Sequence, residues 1–364
     1  MAGIQRVIQD GGYASRDVIS ADETGIFFGA QPMNQYVPQG TQRASAPESD
    51  DKARFTAMLW GAADGAMGPP FVIIKCTVKG PDLRGSRVLD NLAEQGGLTA
   101  AAGWDRGSWS RSMTCMVRGA EATTTHFRPF LKHKDGCVIT VHRKAWMDSA
   151  GVAMWVDTQL APWAARMGRR ALVVWDNCGP HSAPAVRAAL AEHDIRAETL
   201  PPRMTSVLEV MDLVVNGPLK AAIRGARARA LFKYFQKWKF AWVKELAKSA
   251  DARAMPAFAP PKPVLADGLR ALLTACGDAF IATDFQRGLR RAFEDVGLAP
   301  DASGRWTTYA GHTRGLLSRA LAPADSAADD QFLLGDVAAE LDMAECPAEG
   351  HEEEDEGGCS RSSP

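Results

Sequence analysis

Ala171-Leu172-Val173-Val174-Trp175 is an unbroken apolar run that stops at Asp176. Five residues are too few to span a bilayer, and a run without polar alternation has no side to show to water. Such a segment reads as a strand buried on both faces of a sheet, which calls for helices packed above and below it. The flanking sequence supplies them. Pro184 to Glu192 reads as a short helix and Ile195 to Leu200 as a further strand. After the Pro201-Pro202 break, a long helical region begins near Thr205 or Ser206, either of which can cap it, and Gly217-Pro218 interrupts it. Upstream, Asp17 to Ala30 reads as a strand that ends in a turn at Asp22-Glu23-Thr24-Gly25. Phe55 to Trp60 and Phe71 to Ile74 make an antiparallel hairpin around Ala63-Asp64-Gly65-Ala66. Gln31 to Asp51 and Gly80 to Gly119 read as irregular. Arg143 to Met167 reads as a helix with Trp146 on its apolar face, kinked or ended by Pro162. The order of elements implies an α/β fold, a mixed sheet flanked by helices.

Composition matters in two places. Seven cysteines are odd in number, scattered and without a CxxC pair, which argues against a disulfide framework and suits a reducing compartment. His126, His133, Cys137 and His142 are close in sequence, but their spacing fits no common zinc finger, so they read as solvated loop residues. The net charge of −1 hides an asymmetry. Residues 322–364 carry thirteen acidic side chains against Arg361 alone, a net of −12 that leaves +11 on the first 321 residues. A basic body with an acidic tail suits a polyanion-binding protein, and equally a plain solvated surface. The tail composition predicts disorder. The N-terminus has no secretory pattern.

Two strand ends carry an aspartate: Asp22, read as following a strand, and Asp176, where the apolar run meets the turn Asn177-Cys178-Gly179-Pro180-His181. Reactive groups gather at strand ends in α/β sheets, although aspartate is also a common turn residue. Asp212 sits between Met211 and Leu213, an apolar setting in which a lone carboxylate is costly unless a cation meets it.

Three segments taken together resemble the DDE superfamily endonucleases, most closely the pogo, jerky and Tigger-like transposases related to mariner elements. They are Asp22-Glu-Thr-Gly25, the hydrophobic strand ending in Asp176-Asn-Cys-Gly-Pro-His181, and Leu200-Pro-Pro-Arg-Met-Thr-Ser-Val-Leu-Glu-Val-Met-Asp212. They occur in the family's order, with the second and third aspartates 36 positions apart. Asp284 to Leu298 looks like the family's terminal helix. The resemblance covers roughly residues 15–300. It implies an RNase H-like fold, with Asp22, Asp176 and Asp212 as catalytic residues and as ligands of two Mg²⁺ or Mn²⁺ ions about 4 Å apart. Asn177 and His181 are implied as supporting residues around them. It also implies DNA as substrate, a nuclear location and a homodimer. Arg203 and Met204 stand where small polar residues are usual, and Glu209 where Gln is common. Arg203 is a candidate phosphate contact. Glu209 reads as a solvated helix residue, or as one that perturbs the metal from the same helical face as Asp212.

Between Lys220 and Lys248 lie nine basic residues and one acid, Glu245. Lys220, Arg224, Arg227, Arg229, Lys233 and Lys237 are the candidate DNA contacts. Interleaved aromatics at 235, 238 and 242 follow helical spacing and read as core. The expected organisation is a catalytic domain over 1–220, a basic helical extension over 221–320 and an acidic tail over 321–364. About twenty residues before Asp22 leave no room for the helix-turn-helix reader usual in the family. That keeps open a catalytically silent, domesticated DNA-binding or scaffold protein beside the metal-dependent nuclease.

Overall fold

All five residues of Ala171–Trp175 are buried, and apolar layers cover them on both sides, as the run requires. The computed structural model describes residues 1–29, 54–117, 120–166, 168, 170–202, 204–247 and 261–307. Arg203, Lys248, the 31–51 loop and the acidic tail lie outside the described residues. In chain order the elements are α1 (Ala2–Asp10), β1 (Val18–Phe27), β2 (Arg54–Ala62), β3 (Phe71–Lys75), α2 (Val88–Gly96), β4 (Trp104–Val117), β5 (Ala120–His133) and β6 (Val138–His142). Then come α3 (Ser149–Trp155), α4 (Ala161–Arg166), β7 (Ala171–Trp175), α5 (Pro184–Glu192), β8 (Ile195–Thr199), α6 (Thr205–Leu208), α7 (Val210–Val214), α8 (Asn216–Leu246), α9 (Leu265–Phe280) and α10 (Thr283–Asp295).

The strands form one eight-stranded mixed sheet in the order β4-β5-β6-β3-β2-β1-β7-β8. β2 runs antiparallel to its neighbours β1 and β3, while β7 and β8 continue parallel from β1. This is a mixed sheet flanked by helices. Strand alternation sorts the side chains. Val18, Leu59, Val72, Leu172 and Val174 face one layer, with α1, α2 and α7 to α10. Ile19, Trp60, Ile73, Val173 and Trp175 face the other, with α3 to α5. In that second layer Trp60 and Trp155 meet edge to face at 5.8 Å, and both are fully buried. Each such ring gains roughly 1.5–3 kcal/mol from leaving water, before any gain from the pairing itself.

Several local readings are corrected. Gly80 to Gly119 is not irregular, since it holds α2 and β4, the first strand of the long hairpin β4–β5. Its signal is broken because Trp104 faces one layer while Trp109 and Met113 face the other. At Gly107 a Cβ would lie 2.4 Å from the tip of the Phe130 ring, so a larger residue there would have to displace that ring. The helix expected from Arg143 begins at Ser149, where the Asp148 carboxylate accepts from the Gly151 amide at 2.8 Å. Trp146 therefore lies before the helix, 58% exposed, with the Arg54 guanidinium 5.5 Å from its ring centroid. Pro162 does not end the helix. The turn before it widens to a π-helix over Val156–Leu160, and Lys132 Nζ donates to the Thr158 carbonyl that a residue at 162 would otherwise bond.

His126, His133 and His142 sit on strands rather than in loops. Neither Thr205 nor Ser206 caps α6 with its side chain. Gly217-Pro218 does not interrupt a helix: the breaks fall at Glu209 and Val215, and the pair opens α8, where proline's missing N–H costs nothing.

Candidate metal centre

The register of the parallel pair β1–β7 brings the first two aspartates together. Ser20 is opposite Val174, the last pair in that ladder. Two residues further along each chain stand Asp22 and, just past the end of β7, Asp176, whose charge reaches Asp22. Alternation turns both toward the layer that contains Val174 and α7. β1 does not stop before Asp22, as the sequence suggested. It stays paired with β2 through Phe27, so Asp22 is mid-strand, opposite Leu59. Only its pairing with β7 has ended, which opens that side of the strand.

α7 delivers the third. Val210 and Met211 are buried against the sheet and anchor this short helix. Asp212 is held at the exposed side of its start, beside Asp22. The Asn216 side-chain amide joins the two, donating from Nδ2 to Asp22 Oδ2 at 2.9 Å and to Asp212 Oδ1 at 2.7 Å. Burial pushes the Asp22 carboxyl up to about 7, and the charges of Asp212, Glu23 and Asp176 add to that, against the Asn216 hydrogen bond. Asp22 thus feels the charge of both other expected ligands, but the ligating oxygens of the three aspartates do not all lie within 4.8 Å of one another.

Glu209 is not a solvated helix residue. It is fully buried at the break between α6 and α7, where its Oε1 accepts from Ser20 Oγ at 2.5 Å. Its Oε2 is buried without a hydrogen bond. Burial raises its pKa well above the ordinary value, and Asp22, Asp212 and Asp176 push the same way. Helical spacing from Asp212 pointed to this site, but burial at an interhelical break could not be read from sequence.

His181 is buried and links two acids, with Nδ1 2.8 Å from Asp176 Oδ1 and Nε2 2.9 Å from Glu23 Oε1. Its ring stacks on Trp175 at 4.3 Å. Burial acts to lower its pKa, but hydrogen bonding with Asp176, Cys178 and Glu23 prevails and pushes it up to about 12. The imidazolium in turn lowers Asp176, helped by the Cys178 amide on the same Oδ1 at 3.1 Å. Glu23, Cys178 and His181 have ligating atoms within 4.8 Å of one another. Asn177 is exposed and accepts from Ser182 Oγ at 3.2 Å, away from the carboxylates.

Among the described residues, no lysine or arginine pairs with Asp22, Asp176, Asp212 or Glu209. Four carboxylates share this region, and burial together with their mutual repulsion raises Asp22 and Glu209. The donor set is all oxygen, which fits a hard divalent cation of the Mg²⁺ or Mn²⁺ kind and not a soft one.

The expected DNA contacts lie on α8. Arg229, Lys233 and Lys237 are exposed, and Lys220 and Arg224 half-buried. Arg227 is committed to the fold, donating to the Pro261 carbonyl at 2.7 Å. The aromatics are not core. Phe232, Tyr234, Phe235 and Phe240 are exposed, and Phe235, Trp238 and Trp242 stack on one another along the helix at 5.7 and 6.3 Å.

Residues 108–244, which include Asp176 and Asp212, match the family model described as DDE superfamily endonuclease. No curated protein matches the chain. Among solved structures, the Mos1 strand transfer complex aligns over 84% of this chain and 60% of its own, at 13% identity and a TM-score of 0.36. The mariner Mos1 paired-end complex with Mg aligns over 84% and 62%, at 11% identity and a TM-score of 0.37. The corresponding complex with Mn aligns over 77% and 59%, at 13% identity and a TM-score of 0.33. The chain thus spans about 60% of the length of these Mos1 chains.

Proposed function

We propose that this chain is a transposase-like DNA endonuclease and strand transferase of the pogo, jerky and Tigger-like kind, with Asp22, Asp176 and Asp212 as ligands of two divalent ions. The observation that carries this reading is the meeting of Asp22 and Asp212, 190 positions apart in the chain, on one Asn216 amide, with no lysine or arginine among the described residues paired with either. A purely structural carboxylate cluster would be matched by basic side chains, because unpaired buried charge is costly.

Each residue has a distinct task. His181 and the Cys178 amide hold Asp176 by Oδ1, which fixes its rotamer. Glu23 holds the far nitrogen of His181, so the imidazolium cannot swing away. Asp22 is fixed by a strand paired with β2, and Asp212 by a helix anchored through Val210 and Met211. When bound, the ions supply Lewis acidity and an activated oxygen nucleophile for in-line displacement at a phosphodiester. The exposed lysines and arginines of α8 bind phosphates without reading base sequence. In this reading, residues 1–220 carry the chemistry, 221–320 extend the DNA surface and 321–364 form an acidic tail. The active form is a homodimer in the nucleus, because transposition needs two ends held together.

Nicking of supercoiled plasmid in Mg²⁺ or Mn²⁺ tests the reading. The full chain is expected to nick, and Asp176→Ala to lose the activity while keeping its fold by circular dichroism. Equal nicking by both proteins removes the triad. DNA binding that weakens with salt, without nicking in either metal, supports the silent DNA-binding or scaffold protein instead.

A further inference from the structure

Asn216 is 3% exposed at the start of α8, and its two amide ends have opposite surroundings. The Nδ2 end is saturated, with one hydrogen for Asp22 Oδ2 and one for Asp212 Oδ1. The Oδ1 end is buried with no hydrogen-bond donor. A buried carbonyl oxygen without a partner is uncommon and calls for an explanation. Here the same carboxamide reaches between two carboxylates that repel one another and that are proposed to hold a cation. A neutral amide is the one side chain that suits both situations. Its NH₂ end can stand between the carboxylates as a hydrogen-bond donor, and its carbonyl end is a hard oxygen ligand of the kind divalent cations accept beside carboxylates.

Resting on the reading of this pocket as a divalent-cation site, we propose that Asn216 is a further ligand of that site, supplying its carbonyl oxygen to the cation that Asp22 and Asp212 hold. A half-turn about the Cβ–Cγ bond exchanges the two ends without moving the backbone. The orphaned Oδ1 gains a cation, and the carboxylates exchange an amide donor for the same cation. Glu209 strengthens the case, because a second buried oxygen, its Oε2, is also without a partner beside the same three aspartates. The site therefore has more oxygen donors than the three aspartates supply.

The test separates a ligand from a spacer. Mn²⁺ is titrated calorimetrically into chelator-treated full-length protein, and the melting temperature is followed with and without the ion. Asn216→Ala is expected to bind Mn²⁺ at least tenfold more weakly than wild type and to lose most of the Mn²⁺-induced rise in melting temperature. Asn216→Asp, which can give an oxygen but cannot donate, is expected to bind as tightly as wild type or more tightly. Asn216→Ser replaces the alanine variant if that one does not fold. Binding by Asn216→Ala within twofold of wild type overturns the assignment, and so does an Asn216→Asp protein that folds yet binds as weakly as Asn216→Ala. A wild-type chain that binds no Mn²⁺ overturns the cation site itself and this ligand with it, an outcome distinct from the other two.

Discussion

The carboxylate pocket and the outer half of α8 are both rich in charge, and they are built in opposite ways. In the pocket, like charges from β1, the end of β7 and α7 are driven together by the apolar packing of the elements that carry them. On α8, basic and aromatic residues are interleaved along one helix and keep much of their surface in water, with Phe240 72% exposed and Val243 49% exposed. The first arrangement costs free energy that the core must offset, and each charge there is positioned. The second costs little and positions nothing beyond a helix surface. A side chain in the pocket should therefore be sensitive to replacement, whereas one on the outer helix should act mainly as part of a sum.

The largest contrast is expected at His181. Asn in its place keeps a donor toward Asp176 but gives up the imidazolium and the second bond to Glu23. Divalent-ion affinity, measured by calorimetry, should fall about 10- to 100-fold, the usual cost of losing a group that orients a ligand. The same variant should also lose stability. The folded-state pKa of His181 is raised, so its contribution is fully present below the ordinary value of 6.5 and is lost as pH rises toward about 12. Denaturant melts at pH 7 should show that loss, and wild-type affinity in the variant would reduce His181 to packing.

A smaller effect is expected from pH. Folded Asp22 holds its proton up to about 7, whereas the ordinary value is 3.8. Between those values the folded chain binds more protons than the unfolded one, so in chelator Asp22 makes stability fall as pH rises. The proton also competes with a cation for the same oxygens. Mn²⁺ affinity should therefore rise by up to about tenfold per unit from pH 6 toward 7 and then level off. A flat profile would show that Asp22 is not among the groups that bind the ion.

The smallest effects belong to α8. Phe240→Ala should leave the denaturation midpoint unchanged within about 0.5 kcal/mol, because an exposed ring away from the core contributes little. Lys233→Ala and Lys237→Ala should each weaken DNA binding modestly and reduce the slope of log affinity against log salt by about 1. A melting temperature that drops sharply in Phe240→Ala would show that the outer helix is packed, and the contrast with the pocket would fail.

What was legible in the sequence follows from the range of each signal. The start of the first strand at 18–21, the strands at 55–60, 71–74, 171–175 and 195–199 and the helix at 184–192 announced themselves through local apolar runs bounded by turn residues. The hairpin β4–β5 did not, because a ribbon whose buried side changes midway shows no constant alternation. Trp146 and the stacked α8 aromatics were read as core because helical spacing records which residues share a face, not whether anything covers it. Arg227 shows the converse: a cation counted toward DNA is engaged by the Pro261 carbonyl, a partner 34 residues away.

The sequence by itself determined that a doubly covered sheet would form and that three acidic motifs would appear in a recognisable order, since both are properties of short segments. Only the tertiary structure decided that Glu209 would be buried, that His181 would join Glu23 to Asp176, and that Asn216 would stand between Asp22 and Asp212. Those contacts depend on register between β1 and β7 and on where α6, α7 and α8 break. Register and helix breaks are set by the packing of the whole core, which no window of neighbouring residues contains.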